Sequence, residues 1–406
     1  MGRFVIHGGK TLSGEISVGG SKNAALPIIF SCILIRGIST LTNVPDIADV
    51  DVALDIVSSF GAKITRDRGK VILDTEHLTY RVPDVESVSK IRASSYLIGA
   101  TLSRFGKVKI QRFGGCNFDN RPIDMHLMAA RAVGAELTED WLYASKLHGA
   151  DVYFDKVSVG ATVNAILLTV SATGKSRIFG YAKEPHVMSL IEFLNRAGAK
   201  ILVTDECIFI DGKDLSSSQA EIIPDMIEAG TYLTLSLITD SSLKVFGADK
   251  KQLSSYLNVL LHSGAVIEFD DSSITLSGCL TDPLNIETAP YPAFPTDLQP
   301  QIAPLLAVSH GGVITEGVWK NRFGYLRELR NFGIDYECKD GFAEIKKSVI
   351  RPAKAVAPDL RGGAALILAA LYANGESIIE NTELIKRGYG NIVNKLRSVG
   401  ADIKEF

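Results

Sequence analysis

Six copies of a short glycine motif are spaced along the chain and constrain its fold more than any other feature. The copies read FGAKI, VGAEL, AGAKI, SGAVI, FGIDY and VGADI, and their glycines are Gly61, Gly134, Gly198, Gly264, Gly333 and Gly400. The intervals between these glycines are 73, 64, 66, 69 and 67 residues. Six nearly equal intervals indicate one structural unit repeated six times.

Each motif follows an amphipathic helical pattern and precedes a strand-like pattern. In HVMSLIEFLNRAGA, for example, apolar residues recur at the i, i+3, i+4 and i+7 positions of a helix. The glycine then ends the helix, because glycine adopts positive φ at little cost.

A second and more apolar helix is predicted upstream of each amphipathic one, with a short strand between the two. Sequences such as AGTYLTLSLIT and GGAALILAALYA are apolar nearly all round, which predicts complete burial. The fold class is therefore α/β (α+β), built from helix, strand, helix and strand units. Three units per domain would let three buried helices pack inside a ring of sheets. The segment DLSSSQAEIIPD (214–225) is polar and then interrupted by proline, so we expect the domain joint there.

Length and composition narrow the class of protein. A chain of 406 residues suggests two or three domains. The formal net charge of −3 gives no bulk electrostatic reason to bind nucleic acid or an anionic membrane. The apolar runs are too short for a membrane span, and the first residues lack the apolar region of a signal peptide. We therefore expect a cytoplasmic protein.

The five cysteines show no disulfide or zinc spacing, which fits a reducing compartment. Cys116 stands apart, because it follows two glycines in the polar stretch RFGGCNFDNRPIDMH (112–126). The other four, Cys32, Cys207, Cys279 and Cys338, lie in apolar or strand patterns and are interpreted as structural.

The predicted buried helices begin with charged groups that a domain cleft could use. A helix N-terminus carries a partial positive charge and suits anions. Asp297 fits either helix capping or chemistry at such an end. Capping does not explain Lys22, Arg92 and Arg361, since cations are unfavourable there, and a partner anion explains them better.

Several motifs, taken in order, resemble the bacterial UDP-N-acetylglucosamine 1-carboxyvinyltransferase family of enolpyruvyl transferases. They are GGSKNAALPI, KIRASSYLIG, FGGCNFDNRPIDMH, KVSVGATV, FPTDLQPQ, TEGVWKNRF, DLRGGAALILAAL and KRGY, and they extend over essentially the whole chain. The resemblance implies two inside-out α/β barrels with the active site in the cleft between them. It also implies one domain over residues 21–224, which carries the 112–126 loop, and a second formed by residues 1–20 and 225–406.

The resemblance implies an activity as well. The enzyme would transfer enolpyruvyl from phosphoenolpyruvate to the 3-hydroxyl of UDP-N-acetylglucosamine and release phosphate, the first committed step of peptidoglycan synthesis. No metal, cofactor, nucleic acid or membrane partner is implied, and we expect a monomer or a weak homo-oligomer. Cys116 would donate a proton to the methylene carbon. It would also be the most reactive cysteine and the one attacked by an anionic epoxide such as fosfomycin, since nearby cations favour the thiolate.

The resemblance also implies roles for further residues, each at the position that matches the family motif. The catalytic set is Cys116, Asp297 as base for the sugar hydroxyl, Lys22 and Arg387. The phosphoenolpyruvate contacts are Lys22, Asn23, Arg121, Arg322, Arg361 and Arg387. The UDP-N-acetylglucosamine contacts are Arg92, Arg121, Pro122, Ile123, Asp124, Met125, Lys156, Val157, Ser158, Val159, Asp297 and Val318. His126 is assigned to ordering the loop or packing against the nucleotide.

Four positions depart from the common family pattern, and they leave alternatives open. Phe118 and Asp119 follow the cysteine, Met226 follows Asp225, and Lys386 precedes Arg387. A paralogous enolpyruvyl transferase with another acceptor, or a weakly active regulator that binds a nucleotide sugar, would also fit these changes.

Overall fold

A computed structural model describes residues 2–115, 122–270 and 272–406, and the chain divides into two compact units. Among the described residues, one unit comprises 20–115 and 122–223, and the other comprises 2–19 and 224–406. Each unit has its own hydrophobic core.

The helices of the described residues fall into long buried ones and amphipathic or short ones. They are α1 (Lys22–Ser31), α2 (Ala48–Ser59), α3 (Val85–Lys90), α4 (Leu97–Phe105), α5 (Asp124–Ala132), α6 (Val159–Thr169), α7 (Pro185–Arg196), α8 (Met226–Ile238), α9 (Ser254–His262), α10 (Gln299–Val308), α11 (Leu326–Leu329), α12 (Leu360–Tyr372), α13 (Glu383–Lys386) and α14 (Ile392–Ser398). Short 3-10 helices lie at Cys32–Leu34, Arg92–Tyr96, Thr296–Leu298 and Arg330–Phe332.

The strands are mostly short. They are β1 (Arg3–Gly8), β2 (Ser13–Ser17), β3 (Ile35–Thr42), β4 (Lys63–Asp67), β5 (Lys70–Asp74), β6 (Lys107–Lys109), β7 (Glu136–Thr138), β8 (Trp141–Tyr143), β9 (Asp151–Tyr153), β10 (Lys175–Phe179), β11 (Lys200–Val203), β12 (Cys207–Asp211), β13 (Leu215–Glu221), β14 (Ser242–Phe246), β15 (Val266–Asp270), β16 (Ser273–Ser277), β17 (Leu284–Thr288), β18 (Gly312–Glu316), β19 (Tyr336–Lys339), β20 (Phe342–Ile345), β21 (Lys354–Val356), β22 (Gly375–Glu380) and β23 (Asp402–Glu405).

Each unit contains three sheets and three buried helices. The unit of residues 20–223 has sheets ordered β13-β3-β5-β4, β6-β8-β7 and β11-β12-β10-β9, around α1, α4 and α6. The other unit has sheets ordered β15-β16-β14-β2, β17-β18-β20-β19 and β21-β22-β1-β23, around α8, α10 and α12. The predicted α/β architecture of six repeated units is confirmed.

The predicted burial of the apolar helices is also confirmed, and it is complete over most of α8 and α12. Every residue from Ile227 to Ile238 in α8 is buried, as is every residue from Leu360 to Leu371 in α12. Such helices bury apolar side chains on all sides.

The six motif glycines all adopt positive φ, between +89° and +106°. Each follows the amphipathic helix of its repeat, where the sequence predicted a glycine stop. The repeat is therefore a conformational requirement as well as a pattern of letters.

The first strands of the chain pair with strands from the C-terminal half. β1 runs antiparallel between β22 and β23, with Phe4 opposite Ile379, and β2 runs parallel to β14. Residues 2–19 thus belong to the sheets of the 224–406 part, and the chain crosses between the units near 19–20 and again near 223–224.

The unit boundary lies within the segment 214–225, where the domain joint was predicted, but most of that segment is a strand. Leu215–Glu221 forms β13, which pairs in parallel with β3 and places Leu215 opposite Ile35. Its serines do not mark a loop, because Ser217 accepts a hydrogen bond from the Ile38 amide and Ser218 donates one to the Phe193 carbonyl. Only the end of the segment, at Ile223 and Pro224, crosses between the units.

Two of the four cysteines interpreted as structural are not buried. Cys32 and Cys207 lie in the core, and burial raises the pKa of the Cys32 thiol to about 12. Cys279 and Cys338 are exposed. Cys338 lies on β19 at an exposed position, and Cys279 lies just after β16.

The repeat glycines give a direct stability prediction. At Gly400 an added Cβ would meet no atom within 4 Å, yet φ is +97°, so Gly400→Ala introduces backbone strain without a clash. We expect a loss of about 1–2 kcal/mol in the free energy of unfolding, measured by chemical denaturation. Gly324→Ala is the matched control, since Gly324 also has open space around it but lies outside the left-handed range. Equal stability of the two variants would contradict a role for the repeat glycine in setting the backbone.

Candidate functional site

The predicted site residues fall into two groups, one in each unit. Cys116 and Arg121 lie outside the described residues. Among the described ones, Lys22, Asn23, Arg92, Pro122–Met125 and Lys156–Val159 belong to the unit of residues 20–223, while Asp297, Val318, Arg322, Arg361 and Arg387 belong to the other.

Asp297 lies between two arginines in the second group. Its Oδ1 is 2.8 Å from Arg322 Nη1, and its Oδ2 is 3.1 Å from Arg361 Nη2 and 3.3 Å from Arg361 Nε. The arginines are buried, whereas the Asp297 side chain remains 28% exposed. Two adjacent guanidinium groups favour an ionised carboxylate that solvent can still reach.

The alternative in which Asp297 is a helix cap is wrong. It lies inside the 3-10 helix Thr296–Leu298, whose cap position is Pro295, and α10 has its cap position at Leu298. Neither cap makes a side-chain cap bond. Asp297 instead uses both oxygens for the two arginines.

Arg361 is held in place by its helix and by the groups around it. It lies in the first turn of α12, where Asp359 caps the helix by accepting bonds from the Arg361 and Gly362 amides. Burial opposes the charge of Arg361, but Tyr389, Asp297 and Asp225 outweigh it and raise the guanidinium pKa above its ordinary value. Its Cζ lies 5.3 Å from the centre of the Tyr389 ring, a cation–π contact. Arg361 is therefore cationic although it is fully buried.

Arg387 lies near Tyr389 in the chain, and the Tyr389 ring contacts Arg361. It follows α13 at the helix end and precedes the buried Tyr389 by two residues. Lys386, one of the departures from the family pattern, pairs with Glu405 at 2.8 Å and with Glu383 at 3.2 Å. The structure thus gives Lys386 local carboxylate partners.

In the other unit, Lys22 begins α1, with its Nζ 3.6 Å from Asp49 Oδ2. Asp49 is buried at 3% exposure and lies in the first turn of α2. The sequence expected an anion beside Lys22, and Asp49 is one such partner that the sequence analysis missed. The acidic run ADVDV at the start of the predicted helix was the signal that could have identified it.

Arg92 lies beside the 122–126 segment. Its Nη2 donates to the Pro122 carbonyl at 3.3 Å, and burial lowers the pKa of its guanidinium from the ordinary value. Pro122 and Asp124 are exposed, while Ile123 and Met125 are half-buried. Arg92 and four of the predicted nucleotide-sugar contacts are therefore neighbours.

His126 and Asn164 join this segment to the start of α6. His126 is buried, and its Nδ1 lies 2.7 Å from Asn164 Nδ2, so Nδ1 accepts and the neutral ring carries its proton on Nε2. Asn164 also donates to the Ser95 carbonyl and accepts from the Gly99 amide. The sequence analysis missed Asn164, although an amide inside the apolar run ATVNAILLTV was a visible signal.

The 156–159 segment leads into α6 next to His126. Ser158 caps α6 by accepting a bond from the Ala161 amide, and Lys156 and Val157 are exposed. At Gly160 a Cβ would lie 3.0 Å from His126 Cε1, so a larger residue would crowd the histidine ring. The segment supplies a helix N-terminus and a lysine, which together suit an anionic ligand.

The glycine pair before Cys116 has a packing reason that the sequence did not reveal. A Cβ on Gly114 would lie 2.1 Å from the Ser89 carbonyl oxygen, and Gly115 has a φ of +124°. The Gly114 amide also donates to the Val88 carbonyl. Gly114 is thus fixed against the chain at α3.

The comparisons with known proteins now identify the family. The model described as EPSP synthase (3-phosphoshikimate 1-carboxyvinyltransferase) matches residues 6–396. The chain belongs to this family of enolpyruvyl transferases. The predicted family resemblance and fold class are confirmed.

The relatives narrow the assignment further. A protein of Halothermothrix orenii named UDP-N-acetylglucosamine 1-carboxyvinyltransferase is 40% identical over 413 residues, which cover 100% of both chains. The crystal structure of the enolpyruvyl transferase NikO from Streptomyces tendae superposes with a TM-score of 0.89 at 25% identity, over 100% of this chain and 99% of that one. An EPSP synthase from Acinetobacter baumannii has a TM-score of 0.73 at 16% identity over 100% of both chains, which shows the shared fold alone.

The buried histidine predicts a pH dependence of stability. Burial, with a smaller contribution from Arg92, lowers the pKa of His126 to about 4, below the ordinary 6.5. The unfolded chain then binds a proton that the folded chain does not, so stability falls as the pH drops from about 6.5 towards 4. The loss between pH 7 and 5 should be on the order of 2 kcal/mol.

Denaturant unfolding at pH 7 and pH 5 measures this effect. The wild-type protein should lose more stability between the two pH values than His126→Gln, which cannot titrate. His77→Gln, at an exposed histidine of the same unit, controls for loss of a titrating group. Identical losses in the wild-type protein and His126→Gln would contradict the buried, neutral state of His126.

Proposed function

We propose that this chain transfers enolpyruvyl from phosphoenolpyruvate to the 3-hydroxyl of UDP-N-acetylglucosamine and releases phosphate. The observation that carries this proposal is the 40% identity, over the whole chain, to a protein with that enzyme name. The geometry supports it through Asp297, an accessible carboxylate beside two arginines. The reaction begins peptidoglycan synthesis.

The chemistry needs three kinds of group. The sugar hydroxyl must lose a proton as its oxygen bonds to C2 of phosphoenolpyruvate, and C3 must gain a proton. The resulting tetrahedral intermediate then loses phosphate from C2 and a proton from C3, which restores the double bond. Asp297 is the base for the hydroxyl, Cys116 is the acid for C3, and cations hold the phosphate and the carboxylate.

Arg322 and Arg361 connect substrate binding to the basicity of Asp297. Both guanidinium groups form ion pairs with Asp297. These ion pairs favour the ionised carboxylate and so weaken it as a base. The carboxylate of phosphoenolpyruvate would compete for the same donors. As it takes them, Asp297 loses part of its cationic partners and becomes a stronger base when the acceptor hydroxyl needs one.

The phosphate of phosphoenolpyruvate is assigned to Lys22, Arg121 and Arg387, with Asn23 beside the reacting centre. Lys22 Nζ is 3.6 Å from Asp49 Oδ2, a loose ion pair with which a phosphate group could compete. Arginine forks bind phosphate and carboxylate in two-point contacts, which suits a substrate with both groups.

The nucleotide sugar is assigned mainly to residues of the 20–223 unit. Arg92, Arg121, Pro122–Met125 and Lys156–Val159 supply cations, backbone groups and the N-terminus of α6. Asp297 and Val318 complete the set from the other unit. This set suits a diphosphate attached to a flat base and a sugar.

The partners and location follow from this reaction. The substrates are two small molecules, and no helix among the described residues is long and apolar enough to cross a membrane. We propose a cytoplasmic enzyme, which meets both substrates there, and a monomer or weak homo-oligomer.

Another acceptor is the second candidate. The solved enolpyruvyl transferase NikO superposes closely, although it is only 25% identical. Met226 and Lys386 also depart from the common pattern. An enolpyruvyl transferase with a different acceptor would keep the phosphoenolpyruvate residues and differ in acceptor contacts.

An acceptor-dependence assay separates the two candidates. Phosphate release from phosphoenolpyruvate should require UDP-N-acetylglucosamine, and shikimate 3-phosphate should give none. No release above background at high enzyme concentration would contradict the proposed function. Release with shikimate 3-phosphate alone would assign a different acceptor.

Asp297→Asn tests the proposed base. The amide keeps the size of the side chain but cannot take the hydroxyl proton, so turnover should fall by about a hundredfold or more. The control is Asp335→Asn in the same unit, an exposed carboxylate that lies 4.0 Å from Lys346. Steady-state turnover of both variants decides the role, and near-normal turnover of Asp297→Asn would assign Asp297 to arginine placement alone.

A further inference from the structure

Glu316 is a buried carboxylate that none of the site assignments includes. It ends β18 and is only 2% exposed. A carboxylate loses its water shell on burial, which is costly unless protein donors replace that water. Its position calls for an explanation, because it lies two residues before Val318, a proposed nucleotide-sugar contact.

Four donors surround the Glu316 carboxylate, and all are uncharged. Oε1 accepts from Thr288 Oγ1 at 2.6 Å and from the Val318 and Trp319 amides, each at 2.9 Å. Oε2 accepts from Thr296 Oγ1 at 2.9 Å. The carboxylate therefore ties the end of β17, the turn after β18 and the 3-10 helix of Asp297 to one point.

The bond to Thr296 sets the direction of a hydroxyl. A carboxylate only accepts, so the Thr296 proton points at Glu316 and its lone pairs are left for another donor. That donor is Arg322 Nη1, at 2.9 Å. The same Nη1 lies 2.8 Å from Asp297 Oδ1, so its two hydrogens serve Thr296 and Asp297 together.

The bonds to Val318 and Trp319 fix a turn of backbone. Gly317 takes part as well, because its amide donates to Thr288 Oγ1 at 3.1 Å, and that hydroxyl donates to Glu316. Successive amides bound to one buried carboxylate give the turn a single conformation. The Val318 backbone and side chain are thus placed by Glu316.

We propose that Glu316 is a positioning residue with two effects, one on the Arg322–Asp297 pair through Thr296 and one on the Val318 turn directly. This inference rests on the proposed function for its kinetic consequences. The competing explanation is that Glu316 only stabilises the ends of β17 and β18. The two explanations differ in which kinetic constants respond to substitution.

Two substitutions separate the effect that Glu316 has through Thr296 from the effect that it has on the Val318 turn. Thr296→Val removes the hydroxyl between Glu316 and Arg322 but leaves the Val318 turn bonded to Oε1. It should lower kcat about tenfold or more and leave the KM for UDP-N-acetylglucosamine within about twofold. Glu316→Gln weakens both effects, because its amide nitrogen cannot accept a hydrogen bond and its remaining amide oxygen is a weaker acceptor than a carboxylate oxygen. We therefore expect kcat to fall similarly and the KM for UDP-N-acetylglucosamine to rise severalfold.

A third readout is the pH profile of kcat/KM for phosphoenolpyruvate, which reports the free enzyme. In both variants the pH below which kcat/KM falls should move upward, since a less well-placed Arg322 favours ionised Asp297 less. The double variant that carries both Thr296→Val and Glu316→Gln should have about the same kcat as Glu316→Gln alone, because the two residues act in one chain of hydrogen bonds.

Controls separate positioning from simple loss of stability. Thr296→Ser keeps the hydroxyl and should restore most of the turnover lost in Thr296→Val. Thr239→Val removes a buried threonine hydroxyl of the same unit, bonded to the Leu235 carbonyl and Ser241, and should lower Tm without changing kcat, KM or the pH profile.

The decisive results are these. Thr296→Val with wild-type kcat and an unchanged pH profile would overturn the proposal, as would a double variant whose losses multiply. If the wild-type enzyme shows no turnover with UDP-N-acetylglucosamine, the proposed function fails, and a crystal structure of Thr296→Val still tests the positioning. There Arg322 should have left Asp297 Oδ1, and an unmoved Arg322 would overturn the proposal.

Discussion

The complete burial of the central helices is the constraint on which the rest of this structure depends. A helix that is covered on every side can present polar groups only at its ends. Asp225, Asp297 and Arg361 all lie at or just before the N-terminal ends of α8, α10 and α12. The same ends carry the partial positive charge of the helix dipole, so they suit anionic substrates. The repeat that builds the core thus also determines where chemistry can occur.

In each unit, carboxylates of the protein partly offset the buried cations among the predicted site residues. Asp297 offsets two buried arginines, and Asp49 lies beside Lys22. A cation buried without such a partner would cost several kcal/mol. The internal carboxylates make the buried cations tolerable, because they supply charged partners in place of water. Glu316 has a different role. Its hydrogen-bond donors are uncharged, so their contacts with it fix the geometry and do not balance charge.

Much of the fold could be predicted from the sequence, because the same local patterns of glycine and apolar residues recur in each repeat. The positive φ of Gly400 and its five counterparts and the burial of α8 and α12 follow from periodicity and residue type. The extent of β13 could not be predicted, because its serines gain their meaning from Ile38 and Phe193, which are distant in sequence. The site residues Lys22 and Asp297 carried recognisable motifs. Asp49 and Asn164 carried only weak signals and Glu316 carried none, since their partners come together only in the folded chain.

The identity of the reaction product tests the central claim most directly. Wild-type enzyme would be incubated with phosphoenolpyruvate and UDP-N-acetylglucosamine, and the sugar product would be isolated and its structure solved by NMR and mass spectrometry. We expect a carboxyvinyl ether on the 3-oxygen of the sugar, formed in an amount equal to that of the phosphate released. A product substituted at another position, or unchanged nucleotide sugar after prolonged incubation, would contradict it.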